Sequence, residues 1–179
     1  TYDRQQKMLG LGHAILTGEL LIGNEPFAVV LADDLCISKN NNLLIEMYEV
    51  YKKYQCSVIA IEEIPLEKSN SYGIISGELI DGTSDTYLVE DMVEKPESID
   101  APSNLGIIGR YILTPEIFNI LRDTKPDKKG EIQITDALKT QAKNGKVIAY
   151  KFKGKRFDCG SVDGYIKAIN FLAKEKNLI

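Results

Sequence analysis

The chain combines short continuous apolar runs with longer segments in which apolar residues recur at helical spacing. Residues 27–32 (FAVVLA) and 57–64 (SVIAIEEI) are apolar runs that predict buried strands. Between them, residues 41–55 place apolar side chains on one helix face: Leu43, Leu44, Met47, Val50, Tyr51 and Tyr54. This order of strand, helix and strand predicts a βαβ unit with parallel strands.

The remaining pattern predicts further strands and helices of the same layered structure. Strands are predicted at 72–80, 86–96, 107–113 and 147–154, the first two joined at Asp81-Gly82 as a hairpin. Helices are predicted at 13–21, near 135, and after Thr114, with Thr114 as N-cap and Pro115 as first helical residue. A last helix follows Gly160 and carries an apolar stripe of Tyr165, Ala168, Ile169, Leu172 and Ala173. Together these elements predict one mixed α/β domain.

The composition of the chain argues against some classes of binding partner. A chain of 179 residues that is 44% hydrophobic can bury a core of its own. A net charge of -4 argues against nonspecific nucleic-acid binding, which depends on dense Lys and Arg. No apolar run approaches the roughly 20 residues of a membrane helix, so no membrane partner is expected. Three widely spaced cysteines without a CxxC pair favour neither disulfides nor zinc, and they predict a cytoplasmic location.

The first apolar run ends in two adjacent acids, Asp33 and Asp34. In open α/β sheets, ligands bind at the edge where the strands end. A carboxylate at that edge can hold Mg²⁺ against a phosphate. An acidic turn without any ligand explains this segment about equally well.

Two glycines in GLGHA, Gly10 and Gly12, stand just before a predicted helix. Such a loop can bring backbone amides against a flat base or an anion. An ordinary turn that starts a helix is the simpler interpretation. His13, the only histidine, is interpreted as a packed or capping residue rather than a catalytic base.

Two later segments also place polar residues where strands end. VEKPE at 93–97 carries Glu94, which could accept protons from sugar hydroxyls, and Lys95, which could hold a phosphate. A regular strand points such neighbours to opposite faces, so Pro96 must end the strand and hold Lys95 extended for both to reach one ligand. In FDCGS at 157–161, Asp158 could be a second metal ligand or a helix cap.

Five segments considered together closely resemble the bacterial UTP:glucose-1-phosphate uridylyltransferases along essentially the whole chain. They are PFAVVLADDL, YGIISGE, VEKPESIDAPSNLGIIGRYILTPEIF, GEIQITDAL and KGKRFDCGSVDGYIKAI, in that order and after RQQKMLGLGHA. The resemblance implies an α/β fold: a Rossmann-like three-layer nucleotidyltransferase fold with a mixed, mainly parallel sheet. It also implies that residues 1–179 are the C-terminal two-thirds of such a domain, truncated at the N-terminus.

The resemblance further implies roles for individual residues. Asp33 falls at the family's Mg²⁺ position, and Asp158 looks like the second acidic metal position. Lys95 should grip the phosphate of glucose 1-phosphate, which makes it, with Asp33, a catalytic candidate. Asp34 should be secondary, because a strand points it the other way.

Four positions are implied to bind substrate in addition to Lys95. Gly10 and Gly12 fall where backbone groups recognise uracil. Gly73 should approach the sugar, and Glu94 should accept hydrogen bonds from glucose hydroxyls. The implied reaction joins UTP and glucose 1-phosphate into UDP-glucose and pyrophosphate, with Mg²⁺ and Lys95 offsetting the repulsion between phosphates.

One departure from the family limits this interpretation. The family's glycine-rich GxGTR loop, which wraps the triphosphate, is not found in the sequence, so poor turnover by this chain alone is expected. An uncovered apolar sheet edge should favour association, and a homo-oligomer is expected. A related enzyme with another nucleotide or sugar, a noncatalytic binding or regulatory module and, more distantly, a metal-dependent glycosyltransferase remain open.

Overall fold

The protein forms three layers, with a sheet between helices, in a computed structural model that describes residues 1–38 and 42–177. The strands are β1 Phe27–Val30, β2 Asp34–Ser38, β3 Ser57–Glu63, β4 Gly73–Leu79, β5 Thr86–Glu94, β6 Leu105–Leu113, β7 Val147–Lys151 and β8 Gly154–Asp158. The helices are α1 Leu11–Thr17, α2 Glu19–Ile22, α3 Leu43–Tyr54, α4 Glu116–Asp123, α5 Ile134–Ala142 and α6 Val162–Glu175. Residue 41, at the predicted start of α3, lies outside the described residues.

The main sheet has the strand order β1-β6-β3-β7-β5-β4, and β2 pairs with β8 in a separate two-stranded sheet. The mixed sheet is therefore confirmed, but the mainly parallel arrangement is wrong, since only the β3–β7 pairing is parallel within the described residues. Strands β1 and β3 run in the same direction, as predicted for the βαβ unit, yet β6 lies between them, antiparallel to both. Strand order depends on long-range packing, which local periodicity does not encode.

Helices cover both faces of the sheet, which confirms the three layers. On one face, Leu43 and Met47 of α3 pack against alternate residues of β3 and β6. On the other face, α1, α4 and α5 bury a larger cluster, including Phe118 and Leu138, against Ile59. Full burial of such a side chain contributes about 1.5–3 kcal/mol to the stability of the folded state.

The starts of α3 and α4 differ in how they are capped. Helix α3 begins after Asn42, whose side chain accepts a hydrogen bond from the Leu44 N–H at 2.9 Å. The predicted Thr114 cap of α4 is wrong, because that helix has no side-chain cap and Pro115 stands at its N-cap. The Thr114 hydroxyl instead accepts a hydrogen bond from Gln141 Nε2 at 2.9 Å, which ties the end of β6 to α5.

The C-terminal part departs from the predicted pattern in two ways. The predicted strand at 147–154 ends at Lys151, and a separate strand, β8, begins at Gly154 and pairs with β2 outside the main sheet. The apolar stripe of α6 is only partly covered by the rest of the protein, since Tyr165 is 55% exposed and Ile169 is 49% exposed. None of the described helices is long and apolar enough to cross a membrane.

Candidate active site

A cavity of about 260 Å³ opens beyond the end of β1, with β6 on one side and α1 and α5 on the other. Leu11 of α1, Gly109 of β6 and Thr135 of α5 contribute to its walls. Several residues predicted from the sequence, from segments far apart in the chain, also line it: Gly73, Glu94, Lys95 and Asp158. The predicted site residues outside the glycine loop therefore line one cavity, except Asp33, which lies beside it.

Asp33 and Asp158 converge at the mouth of this cavity. The Cys159 N–H donates to the Asp33 carbonyl at 2.7 Å, which joins the two segments through the backbone. A Cβ placed on Gly160 would lie 3.0 Å from Asp33 Oδ2 and 3.1 Å from Asp158 Oδ1. One carboxylate oxygen of each residue therefore lies beside Gly160, and the Oδ1 of Asp158 also accepts a hydrogen bond from the Gly160 N–H at 3.1 Å. Both side chains are exposed, so a ligand can reach them.

The two carboxylates fit the coordination habits of Mg²⁺. This ion is commonly bound through one or two carboxylates, and substrate phosphates and water complete its octahedron. No cluster of three or more His, Cys, Asp or Glu side chains that could hold a metal is found in residues 1–38 and 42–177. A pair of acids open to solvent leaves the remaining coordination positions for phosphate.

Asp34 points in the opposite direction from its neighbour. Its side chain is buried, and its Oδ2 accepts a hydrogen bond from the Gly109 N–H at 2.5 Å. Its Oδ1 forms an ion pair with Arg156 Nε. The alternation expected of adjacent residues is therefore observed, and Asp34 connects β2 to β6 and β8.

The side chains of Glu94 and Lys95 lie on the same side of the chain, but the backbone conformation that places them there differs from the predicted one. The backbone of Lys95 has a left-handed conformation, with φ +47°, so the expectation of an extended Lys95 is wrong. The strand ends at Glu94, and the Lys95 N–H donates to the Tyr72 carbonyl at 2.9 Å. Lys95 Nζ then lies 3.5 Å from Glu94 Oε1. The cause is the left-handed bend of the backbone at Lys95, a conformation that sequence pattern alone does not specify for a lysine.

The carboxylate of Glu94 is held in place from two sides. The Thr135 hydroxyl donates to Glu94 Oε2 at 2.5 Å, and Gly73 pairs with Glu94 across the β4–β5 ladder. A Cβ on Gly73 would lie 3.2 Å from that same Glu94 oxygen and 3.1 Å from the Thr135 hydroxyl. The absence of a side chain at Gly73 therefore keeps this part of the cavity open.

Gly10 and Gly12 are placed differently from the other predicted residues, since neither is among the residues that line the cavity. A Cβ on Gly10 would lie 2.8 Å from the Ile132 carbonyl oxygen, and one on Gly12 would lie 2.7 Å from it. The Gly12 N–H also donates to that oxygen at 2.9 Å. Close approach of the backbone at Ile132 is thus a sufficient reason for both glycines, and their role in uracil recognition stays a prediction.

His13 lies outside the cavity lining and next to Gln5. The Nδ1 of His13 is 2.9 Å from Gln5 Nε2, and the same amide group donates to the Gly10 carbonyl at 3.1 Å. These contacts agree with a packed histidine that supports the loop before α1.

Arg156 is a residue of the site that the sequence interpretation missed. Its Nη1 donates to Glu62 Oε1 and to the Tyr72 hydroxyl, both at 2.9 Å, in addition to the ion pair with Asp34. Burial, the largest single influence, lowers the pKa of Arg156, but the contacts with Asp34 and Tyr72 together outweigh burial and the pKa is raised. Its position two residues before Asp158 in a strand was an available signal, because such residues share a face.

Tyr111 is a second residue that the sequence interpretation did not single out. It lies on the same face of β6 as Gly109 and lines the cavity, although only 5% of the residue is exposed. Burial, with the nearby carboxylates of Glu94 and Asp34, raises the pKa of Tyr111 well above its ordinary value. The phenol therefore stays neutral and can donate a hydrogen bond at physiological pH.

Residues 1–175 match the protein-family model described as Nucleotidyl transferase. The chain belongs to the nucleotidyl transferase family. This match extends from the glycine loop to the last turn of α6, so it includes every candidate residue described above.

The chain is similar to proteins named UTP–glucose-1-phosphate uridylyltransferase. It is 60% identical to the one from Pseudomonas aeruginosa over 171 residues, which is 95% of the chain and 61% of the relative. A solved structure of UDP-glucose pyrophosphorylase complexed with UDP-glucose matches 98% of this chain and 66% of its own, with 62% identity and a TM-score of 0.93. A UTP-bound enzyme from Acinetobacter baumannii matches with 36% identity and a TM-score of 0.86, over 97% of this chain and 59% of its own. The chain therefore spans about three-fifths of the length of its curated relatives.

Helix α6 packs directly on the backbone that carries Asp158. The Ser161 side chain caps the helix by accepting from the Gly164 N–H at 3.1 Å, and its hydroxyl contacts the Asp158 carbonyl at 3.1 Å. A Cβ on Gly164 would stand only 1.8 Å from that carbonyl oxygen. Only glycine allows α6 to begin this close to the acid.

Gly164→Ala should therefore destabilise the protein by about 1–3 kcal/mol, the usual cost of an overpacked contact. Gly18→Ala is the matched control, because its backbone is right-handed helical and a Cβ there meets its nearest atoms at 3.4 Å. Urea unfolding followed by circular dichroism would measure both free energies. Equal stability of the two variants would show that α6 can shift without cost.

Proposed function

We propose that this chain carries the metal-binding and sugar-phosphate part of a UTP:glucose-1-phosphate uridylyltransferase, which forms UDP-glucose and pyrophosphate. The observation that supports this most is the joint placement of Asp33 with Asp158, and of Glu94 with Lys95, around one cavity. Metal ligands and sugar-phosphate ligands must meet in one place for a nucleotidyl transfer. The names of the similar proteins supply the nucleotide and the sugar.

Glu94, Gly73 and Lys95 form the proposed sugar-phosphate side of the site. The carboxylate of Glu94 accepts hydrogen bonds from sugar hydroxyls, and the Thr135 hydroxyl holds that carboxylate in position. Gly73 leaves space for the sugar ring. Lys95, whose side chain is 53% exposed, can move its ammonium from Glu94 to the phosphate of glucose 1-phosphate and offset the charge of the nucleophile.

Asp33 and Asp158 would hold Mg²⁺ on the proposed nucleotide side. The ion, when bound, neutralises and orients the α-phosphate of UTP. The protein residues position the two phosphates and reduce their repulsion, so the reaction requires no covalent enzyme intermediate. Attack by the sugar phosphate oxygen on the α-phosphorus then expels pyrophosphate.

A homo-oligomer and a cytoplasmic location are part of the same proposal. Strand β1 stands at an edge of the main sheet, and Val30 within it is 50% exposed. Leu20 and Leu21 in α2 are 95% and 58% exposed. An apolar strand edge of this kind favours association with another polypeptide segment. A concentration-independent monomer by analytical ultracentrifugation would contradict the oligomer.

The proposed activity can be tested in a chimaera in which this chain replaces the matching part of the Pseudomonas aeruginosa relative. The chimaera should form UDP-glucose from UTP and glucose 1-phosphate. Lys95→Met should raise KM for glucose 1-phosphate about tenfold and leave KM for UTP unchanged, since a hydrogen bond to a charged group contributes about 1.5 kcal/mol or more. Coupled assay of pyrophosphate release would measure both constants.

Lys153→Met is the control, because Lys153 is an exposed lysine paired with Asp85 and lies outside the cavity lining. An equal change in both KM values would contradict the sugar-phosphate role of Lys95. UDP-glucose binding without turnover would favour the noncatalytic module. Faster reaction with dTTP or with another sugar 1-phosphate would point to a different nucleotidyltransferase.

A further inference from the structure

The two proposed metal ligands depend on a very small sheet for their spacing. Strands β2 and β8 pair over five positions only, and their register sets Asp34 opposite Asp158. Asp33 immediately precedes β2, and Asp158 is the last residue of β8. A two-stranded sheet is marginally stable by itself, so something else must hold this end of it.

The Arg156–Asp34 pair connects that small sheet to the main sheet. Arg156 of β8 bonds across to Asp34 of β2, and the second oxygen of Asp34 accepts from the Gly109 N–H of β6. The other end of the Arg156 guanidinium bonds Glu62 of β3 and the Tyr72 hydroxyl. The side chains of Arg156 and Asp34 are only 12% and 6% exposed, so solvent screens this pair weakly.

We infer that the Arg156–Asp34 pair positions Asp33 and Asp158, by fixing the small sheet to β3 and β6 so that both carboxylates face one cation. Asp34 is the chain neighbour of one acid, and Arg156 lies two residues before the other. Movement of either strand relative to the other separates the two carboxylates. The inference rests on the metal role of Asp33 and Asp158 in the proposed function.

Loss of positioning and loss of charge at Arg156 predict opposite effects on cation binding. Arg156 is a cation close to the two acids, so loss of its charge alone should strengthen binding of another cation. Positioning predicts weaker binding, because the two carboxylates no longer meet at one point. The sign of the change therefore separates the two explanations.

The test is an Mn²⁺ titration of the chain, followed by electron paramagnetic resonance of the free ion. The main variant is Asp34→Asn combined with Arg156→Met, which removes the ion pair without changing the net charge. Glu62, whose side chain is 26% exposed, is then the former partner of Arg156 that keeps its charge. Mn²⁺ binding should weaken about 10- to 100-fold, the usual effect of removing groups that orient metal ligands. Arg156→Met alone should also weaken binding, in spite of the lost positive charge.

Asp91→Asn combined with Lys139→Met is the matched control, since it removes another ion pair from the surface at no change in net charge. Asp33→Asn in the same titration identifies the site. If wild-type protein does not bind Mn²⁺, or Asp33→Asn does not weaken binding, the proposed metal role is wrong and the inference fails with it. If Asp33→Asn weakens binding but the folded Asp34 and Arg156 double variant binds as wild type does, only the inference is overturned.

Discussion

Asp33→Asn should lower kcat of the chimaera by about 10²- to 10³-fold, the loss expected when one preorganised electrostatic contact to the reacting group is removed. Asn has nearly the same shape as Asp but carries no charge, so the backbone contact between the Asp33 carbonyl and the Cys159 N–H can remain. The expected loss therefore reflects the charge at the α-phosphate rather than unfolding. Steady-state rates at saturating UTP and glucose 1-phosphate, over a range of Mg²⁺ concentration, would measure it.

Asp158→Asn provides a further test of a shared ion. Both carboxylates lie beside Gly160 and share one ion in the proposed site, so removal of either should impair the same contact. The double variant should then lose much less than the sum of the two single losses in activation free energy, because the sites are coupled. Asp81→Asn, at an exposed turn, is the control. Additive losses, or an Asp33→Asn enzyme as fast as wild type, would contradict the two-carboxylate site.

The placement of Asp33 and Asp158 at strand ends could be predicted, because the sequence pattern that indicates a strand end is local. An apolar run that stops at Asp33 predicts a strand end, and strand ends in α/β sheets gather ligands. Asp158 has a similar signal, since it follows a strand and precedes a turn with Gly160. The structure brings these two residues together through a pairing between β2 and β8. That pairing was missed, because β2 is only five residues long and follows closely on the apolar run of β1.

The strand order could not be predicted for a related reason. Strand β6 is buried on both faces, so its sequence is equally suited to several central places in the sheet. The place it takes, between β1 and β3, depends on the packing of α3 on one face and of α4 and α5 on the other. Local periodicity gives each element but not the order in which they pair.

Lys95 and the glycine loop show the limits of interpreting single residues. A left-handed lysine before proline has no pattern of its own, yet this conformation places Lys95 beside Glu94. Gly10 and Gly12 matched a ligand-binding loop in the sequence, whereas their contacts with Ile132 give a packing reason for glycine. Both outcomes depend on neighbours that are distant in the sequence.

Arg156→Met should reduce the free energy of unfolding by about 3–5 kcal/mol, which is the usual cost of removing one partner from a buried ion pair. The variant leaves the Asp34 carboxylate buried, with the Gly109 N–H as its remaining hydrogen-bond donor in the described part of the chain. It also removes the hydrogen bonds to Glu62 and to the Tyr72 hydroxyl. Urea unfolding of the chain, with the slope fitted freely, would measure the loss as a lower midpoint.

Addition of Asp34→Asn to Arg156→Met should recover much of this loss, because the more deeply buried of the two carboxylates that Arg156 pairs with is then neutral. Most of the cost of the single change is the uncompensated charge, and the amide oxygen that replaces the carboxylate can still accept from the Gly109 N–H. Lys167→Met is the control for an exposed pair, and it should cost less than about 1 kcal/mol since solvent screens its contact with Asp163. A single variant as stable as wild type, or a double variant no better than the single one, would show that Asp34 does not depend on Arg156 for its burial.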